Sequence, residues 1–130
     1  MAELTIKKKR PKHLDVTKIR LPLPGILSIL HRVSGAGLFL LLPLLLWLFQ
    51  CSVDSPESFG TFKAVVSFPL VKLVLLGLIW AFCHHFCAGI RFLFLDMHVG
   101  VDLPSARLTS KIAFVVSLAL TVLLGAKLLW

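Results

Sequence analysis

Hydrophobic positions in this chain gather into three long runs separated by two more polar stretches. Val33 to Val53 contains no Lys, Arg, Asp, Glu or His, and the apolar character extends back through His31 and Arg32 to Gly25. At a helical rise of roughly 1.5 Å per residue such a run crosses the ~30 Å hydrocarbon layer of a bilayer. It predicts a first span over about Gly25–Phe49. The second run, about Phe68–Leu95, has no Lys, Arg, Asp or Glu between Leu73 and Ile90, yet it holds the adjacent pair His84 and His85. The third, about Leu108–Trp130, carries Lys127 near its far end, where a long amine reaches back to the interface. Lipid offers no partner to an unpaired backbone group, so runs of this length fold as helices. The expected fold class is all-α integral membrane with three transmembrane helices. The expected organisation is a basic tail over residues 1–24 and a three-span membrane region over 25–130.

Between the first two runs, Cys51 to Ser67 includes Asp54, Ser55, Pro56, Glu57 and Gly60 and reads as a turn-forming outer loop. Charge then orients the bundle. The chain has 14 Lys+Arg against 6 Asp+Glu, a net +8. All the basic residues except Lys63, Lys72 and Lys127 fall in the N-terminal tail, at the start of span one, or around the connection between spans two and three. By the positive-inside rule the N-terminus is cytoplasmic and the C-terminus lies outside. Clustered in this way, the charge reads as an orientation signal and not as a nucleic-acid surface. A hydrophobic content of 58% and a mean hydropathy of +0.94 exclude an ordinary soluble domain and a disordered chain. Cys51, Cys83 and Cys87 do not form a disulfide framework. The cluster Lys7-Lys8-Lys9-Arg10 lacks the apolar core of a secretory signal and the composition of a transit peptide, which favours a bacterial cytoplasmic (inner) membrane.

Polar groups inside the spans are costly without partners, so His31, Arg32, His84 and His85 are the informative positions. Antiparallel packing brings the start of span one beside the end of span two. Counted from those ends, His31 lies ~9 Å and His85 ~15 Å deep, so both can face one pocket in the cytoplasmic half. Ser28 and Arg32 stand at i,i+4, with His31 and Gly35 on the adjoining ridge. Arg32 supplies a permanent planar charge suited to a carboxylate or a polarised carbonyl, and Ser28 a neutral donor. His85 and Gly89 are also i,i+4, so a ring ligated by that imidazole meets no side chain at Gly89, which suggests a porphyrin.

Blander readings use the same residues: His31 and Arg32 as interfacial anchors, His84 or His85 as a polar strut between helices, Gly35-Ala36-Gly37 as a close helix contact, and the Phe and Trp residues as packing. A b-type haem usually takes two imidazoles on opposite faces. His84 and His85 project about 100° apart and do not meet that need together, so a second ligand has to come from another chain.

The segments Arg10-Pro11, Ser28-Ile29-Leu30-His31-Arg32-Val33-Ser34-Gly35 and His85-x-x-x-Gly89-Ile90-Arg91, followed by Asp96, closely resemble the larger cytochrome b membrane-anchor subunit of succinate dehydrogenase, respiratory Complex II. The resemblance spans nearly the whole chain. It implies that His85 ligates haem b, that His31 approaches a haem propionate, and that Ser28 and Arg32 line the ubiquinone site. It further implies a second small membrane-anchor subunit, an iron–sulfur subunit and a flavoprotein that oxidises succinate, with no nucleic-acid partner. Many family members carry a His directly after Gly-Ile-Arg; this chain has Phe92 there.

Two alternatives remain beside that reading. A fumarate reductase anchor runs the same architecture in the opposite direction, and menaquinone is an alternative to ubiquinone. A haem-free structural or proton-path subunit would use the same buried His and Arg, but the spans lack a paired carboxylate for it.

Overall fold

The computed structural model describes residues 18–130; the cluster Lys7–Arg10, the Arg10-Pro11 pair and His13 lie outside the described residues. Four helices follow in order: α1 (Leu23–Val53), α2 (Pro56–Ser67), α3 (Pro69–Asp96) and α4 (Leu103–Leu129). Among the described residues there is no strand. Helices α1, α3 and α4, of 31, 28 and 27 residues, are long and apolar enough to cross a membrane. Each of the four has proline in its first turn, where the missing N–H removes no intrahelical hydrogen bond.

The stretch Cys51–Ser67, expected as an outer loop, is mostly helical. Helix α1 continues to Val53 and α2 occupies Pro56–Ser67. The reason is a capping box: the Ser58 N–H donates to Ser55 Oγ at 3.1 Å and the Ser55 N–H donates to Ser58 Oγ at 2.9 Å. Pro56 and Glu57, which read as loop residues, suit a first helical turn, where Glu57 also faces the positive end of the helix dipole. At the other end of the bundle α4 starts at Leu103, ahead of the expected Leu108. Asp102 caps it by accepting the Ser105 N–H at 3.0 Å, and this hydrogen bonding holds the Asp102 carboxyl below the usual carboxylate range. Helix α3 closes with His98 at φ 60°, and the Val99 and His98 N–H groups return to the Phe94 and Leu95 carbonyls, each at 2.9 Å.

Water does not drive helices together inside a bilayer, so close approach and internal hydrogen bonding do. Helix α4 meets α3 through Ser110, Ala113, Ser117, Thr121 and Gly125, a buried row of small residues three or four apart. Its hydroxyls are spent on their own helix: Ser117 donates to the Phe114 carbonyl at 2.9 Å and Thr121 to the Ser117 carbonyl at 2.7 Å. Beside Gly125 an added Cβ would sit 2.8 Å from Leu76 Cδ1. At the same end of the bundle Lys72 Nζ lies 5.2 Å over the Trp130 ring. Helix α1 is held by fewer buried residues, Leu27, Ser34 and Leu48, and keeps a broad apolar face open that includes Phe39 and Leu40.

The Gly125 contact yields a graded expectation. The opposing atom ends a flexible side chain, so Gly125→Ala should be tolerated, whereas Gly125→Leu should push α4 from α3 at a cost of about 1–3 kcal/mol. Thermal unfolding of the detergent-solubilised protein should fall for the Leu variant and stay near parental for the Ala variant.

Candidate functional site

The polar residues of α1 and α3 converge where the beginning of α1 passes the second half of α3. His31 and His85 stack with ring centroids 4.1 Å apart and planes 8° from parallel. Counting from the helix ends had put the two at different depths. Their rings instead lie against each other, because the ends of α1 and α3 are staggered and not level. Phe92 closes on His31 from about two turns further along α3 than His85, at 5.0 Å and a 55° tilt. It also packs on the buried cluster of Leu27, Ala88 and Ala113. The position at which many relatives were expected to carry a polar ring is therefore part of the apolar packing here.

His85 has a defined hydrogen-bonding state. Its Nδ1 lies 3.0 Å from the His31 carbonyl oxygen. A carbonyl only accepts, so Nδ1 carries a proton and donates, which in the neutral ring leaves the lone pair on Nε2. Ser34, buried on α1, donates its hydroxyl to the same carbonyl at 2.9 Å and lies 3.4 Å from Nδ1. Among the described residues Nε2 has no hydrogen-bond partner. This is the state required of an imidazole that donates to iron, with the second ring nitrogen held by a backbone acceptor.

His84, one residue earlier, turns away into the bundle. It is fully buried, stacks on Trp80 at 5.3 Å and 20°, and meets Phe114 of α4 at 5.3 Å. Among the described residues neither of its ring nitrogens has a partner at hydrogen-bonding geometry. The two adjacent histidines thus occupy different surroundings, as their angular separation on a helix requires.

Ser28 and Arg32 form the expected i,i+4 pair, with Arg32 donating to Ser28 Oγ at 3.4 Å. Arg32 is exposed, so this face presents a hydroxyl and a guanidinium outward beside the histidine stack. Gly89, expected to clear space for the His85 ring, faces His31 instead: a Cβ there would lie 3.6 Å from His31 Nε2, an ordinary contact, and within 4 Å of no His85 atom. Gly37 has no atom near its missing Cβ, so within Gly35-Ala36-Gly37 the close contact belongs to Gly35.

Arg91 has a role that motif reading did not supply. Its guanidinium is buried between α3 and α4, donating from Nε to Thr109 Oγ1 at 3.0 Å and from an Nη to the Ala106 carbonyl at 3.3 Å. Interhelical hydrogen bonds of this kind in membranes average about 0.6 and reach about 1.7 kcal/mol. The available sequence signal was a cation inside the end of a span with no acid in the same run, which calls for a carbonyl or hydroxyl partner. Alongside it runs a groove of about 450 Å³ lined by Ile90, Phe94, Ile112 and Val116.

Comparison with known proteins gives a family for the chain as a whole. Residues 6–124 match the family described as the succinate dehydrogenase/fumarate reductase transmembrane subunit. The chain is 38% identical over 118 residues to a protein of Coxiella burnetii named succinate dehydrogenase cytochrome b556 subunit, covering 90% of this chain and 94% of that one. Proteins of the same name from Paracoccus denitrificans and Rickettsia prowazekii are 36% and 32% identical over 111 and 116 residues. Those matches cover 85% and 89% of this chain and 84% and 90% of the relatives.

The two histidines should separate under mutation. In His84→Leu, removing two unpartnered nitrogens regains about 1–3 kcal/mol and losing the ring contacts costs about 0.5–1.5 kcal/mol. Thermal stability should therefore lie between a loss of about 0.5 and a gain of about 2.5 kcal/mol. A much larger loss in the unfolding transition would reveal a partner bound to that ring.

Proposed function

Because the chain belongs to the succinate dehydrogenase/fumarate reductase transmembrane subunit family, we propose that it is the cytochrome b anchor of a succinate:ubiquinone oxidoreductase, holding one haem b jointly with a second small anchor subunit. The observation that carries this reading is the state of His85, protonated at Nδ1 against the His31 carbonyl with Nε2 unengaged. In this chain His85 would hold the haem iron, and a histidine of the partner anchor would supply the other ligand. His31, stacked on His85, is the residue for a haem propionate. Haem b, when bound, supplies one-electron storage within the bilayer.

Ser28 and Arg32 are the quinone residues. Reduction of ubiquinone to ubiquinol takes up two electrons and two protons. The electrons originate in succinate oxidation at the flavoprotein and arrive through the iron–sulfur subunit, so this chain does not itself oxidise succinate. Arg32 donates a charge-assisted hydrogen bond to a quinone oxygen, a bond that strengthens as negative charge develops there, and Ser28 supplies a neutral donor beside it. The shared name of the relatives favours succinate oxidation over fumarate reduction. The clustered basic residues support a reading with the N-terminus and this site on the cytoplasmic side of a bacterial inner membrane, and α2 and the C-terminus on the periplasmic side.

The assembled complex tests both parts. A reduced-minus-oxidised spectrum should show a b-type band that disappears in His85→Ala and persists in His84→Leu; the reverse pattern would exchange the two histidines. Arg32→Leu should lower succinate:quinone turnover about 10- to 100-fold, from loss of roughly 1.5–3 kcal/mol, while succinate oxidation by a dye acting upstream persists. Ser28→Ala should lower it less, by about tenfold at most. Unchanged quinone kinetics in both variants with the complex intact would move the quinone elsewhere.

A further inference from the structure

We propose that the Ser34-Gly35 step of α1 is the seat of the His85 imidazole: Gly35 leaves the space that the ring occupies, and the His31 carbonyl, shared with the Ser34 hydroxyl, selects which ring nitrogen is free. Both are positioning residues, acting through His85. The inference rests on the reading of His85 as haem ligand and adds the element that holds it.

Steric fit carries the first half. A Cβ on Gly35 would stand 2.8 Å from His85 Cε1, 3.1 Å from Nδ1 and 3.8 Å from Nε2. The obstructed atoms belong to a rigid five-membered ring with two rotatable bonds behind it, not to the loose end of an aliphatic chain. Retreat is blocked as well. The His31 ring covers His85 at 4.1 Å, and the Nδ1–H is tied to the His31 carbonyl at 3.0 Å. With a methyl group at position 35, the imidazole must give up the stack, the hydrogen bond, or its distance from α1. The other glycines nearby do not impose this demand. The Cβ position of Gly37 meets nothing within 4 Å, and that of Gly89 makes an ordinary 3.6 Å contact with His31.

The second half is electronic. A backbone carbonyl on the non-ligating N–H of a metal-bound histidine fixes the tautomer and ring orientation and raises the basicity of the ligating nitrogen. Here that carbonyl also accepts the Ser34 hydroxyl at 2.9 Å. Two donors compete for one oxygen, so the serine moderates the pull on the Nδ1 proton. Removing the hydroxyl without adding an atom leaves the carbonyl to Nδ1–H, which makes the imidazole a stronger donor and lowers the haem midpoint potential.

The test uses the whole complex with Gly35→Ala, Gly37→Ala, Ser34→Ala and His85→Ala in this chain. Assembly is checked by succinate oxidation with a dye. The readouts are the lowest-field low-spin haem resonance by electron paramagnetic resonance, the haem midpoint potential, and haem release to apomyoglobin. Gly35→Ala should shift the resonance and weaken haem retention about 10- to 100-fold, the usual effect of disturbing a ligand's supporting shell. Gly37→Ala should match the parental complex in all three. Ser34→Ala should keep its haem and show a lower midpoint potential, and it carries the test alone if Gly35→Ala does not assemble. A parental resonance and parental retention in Gly35→Ala, equal effects at Gly35 and Gly37, or an unchanged or raised potential in Ser34→Ala each overturn the seat. Retention of low-spin haem in His85→Ala overturns the underlying ligand assignment instead, so the two failures are distinct.

Discussion

Inside hydrocarbon a polar group must find its partner within protein, and most buried polar atoms of this molecule are arranged under that requirement. Serine and threonine hydroxyls on α4 turn back to carbonyls of their own helix, which lets the helix present a small, internally satisfied row to α3. Arg91 sends two donors across to Thr109 and Ala106, joining the end of α3 to the start of α4. His85 reaches the His31 carbonyl of α1. Helix α3 is thus the central element, tied by one polar side chain to each of its neighbours.

That arrangement separates the two adjacent histidines by surroundings. His85 faces α1, where a carbonyl takes one nitrogen and leaves the other available. His84 faces α4 amid Trp80 and Phe114 with neither nitrogen bonded. Aromatic stacking alone would suit either residue. Only the backbone acceptor at His31 gives one of them a fixed tautomer, and only a glycine at position 35 lets the ring come close enough to use it.

Outside this polar seam, α1 offers much of its length to the surroundings, which suits a subunit whose interior is completed by another chain. The outward pair of Ser28 and Arg32 lies beside the histidine stack, so in the proposed function the quinone residues and the propionate residue His31 share the first turns of α1, against His85 on α3. Phe92 seals the far side of His31 against the Leu27 cluster, where a polar ring would need a partner.

Three long apolar helices, their order and the presence of His31, Arg32, His84 and His85 within them were determined by sequence alone, since an apolar run of membrane length has one backbone solution. The i,i+4 relation of Ser28 and Arg32 was equally legible, because helical periodicity is local. What tertiary structure decided is everything that depends on the offset between helices. The levelling of His31 with His85, the clearance at Gly35 but not Gly37, the acceptor for Nδ1 and the partners of Arg91 all lie across chain separations that no local period encodes. Helix α2 was missed for a different reason: Pro56 and Ser58 are ambiguous residues, loop formers or helix starters, and the capping hydrogen bonds from Ser55 resolve them in favour of a helix.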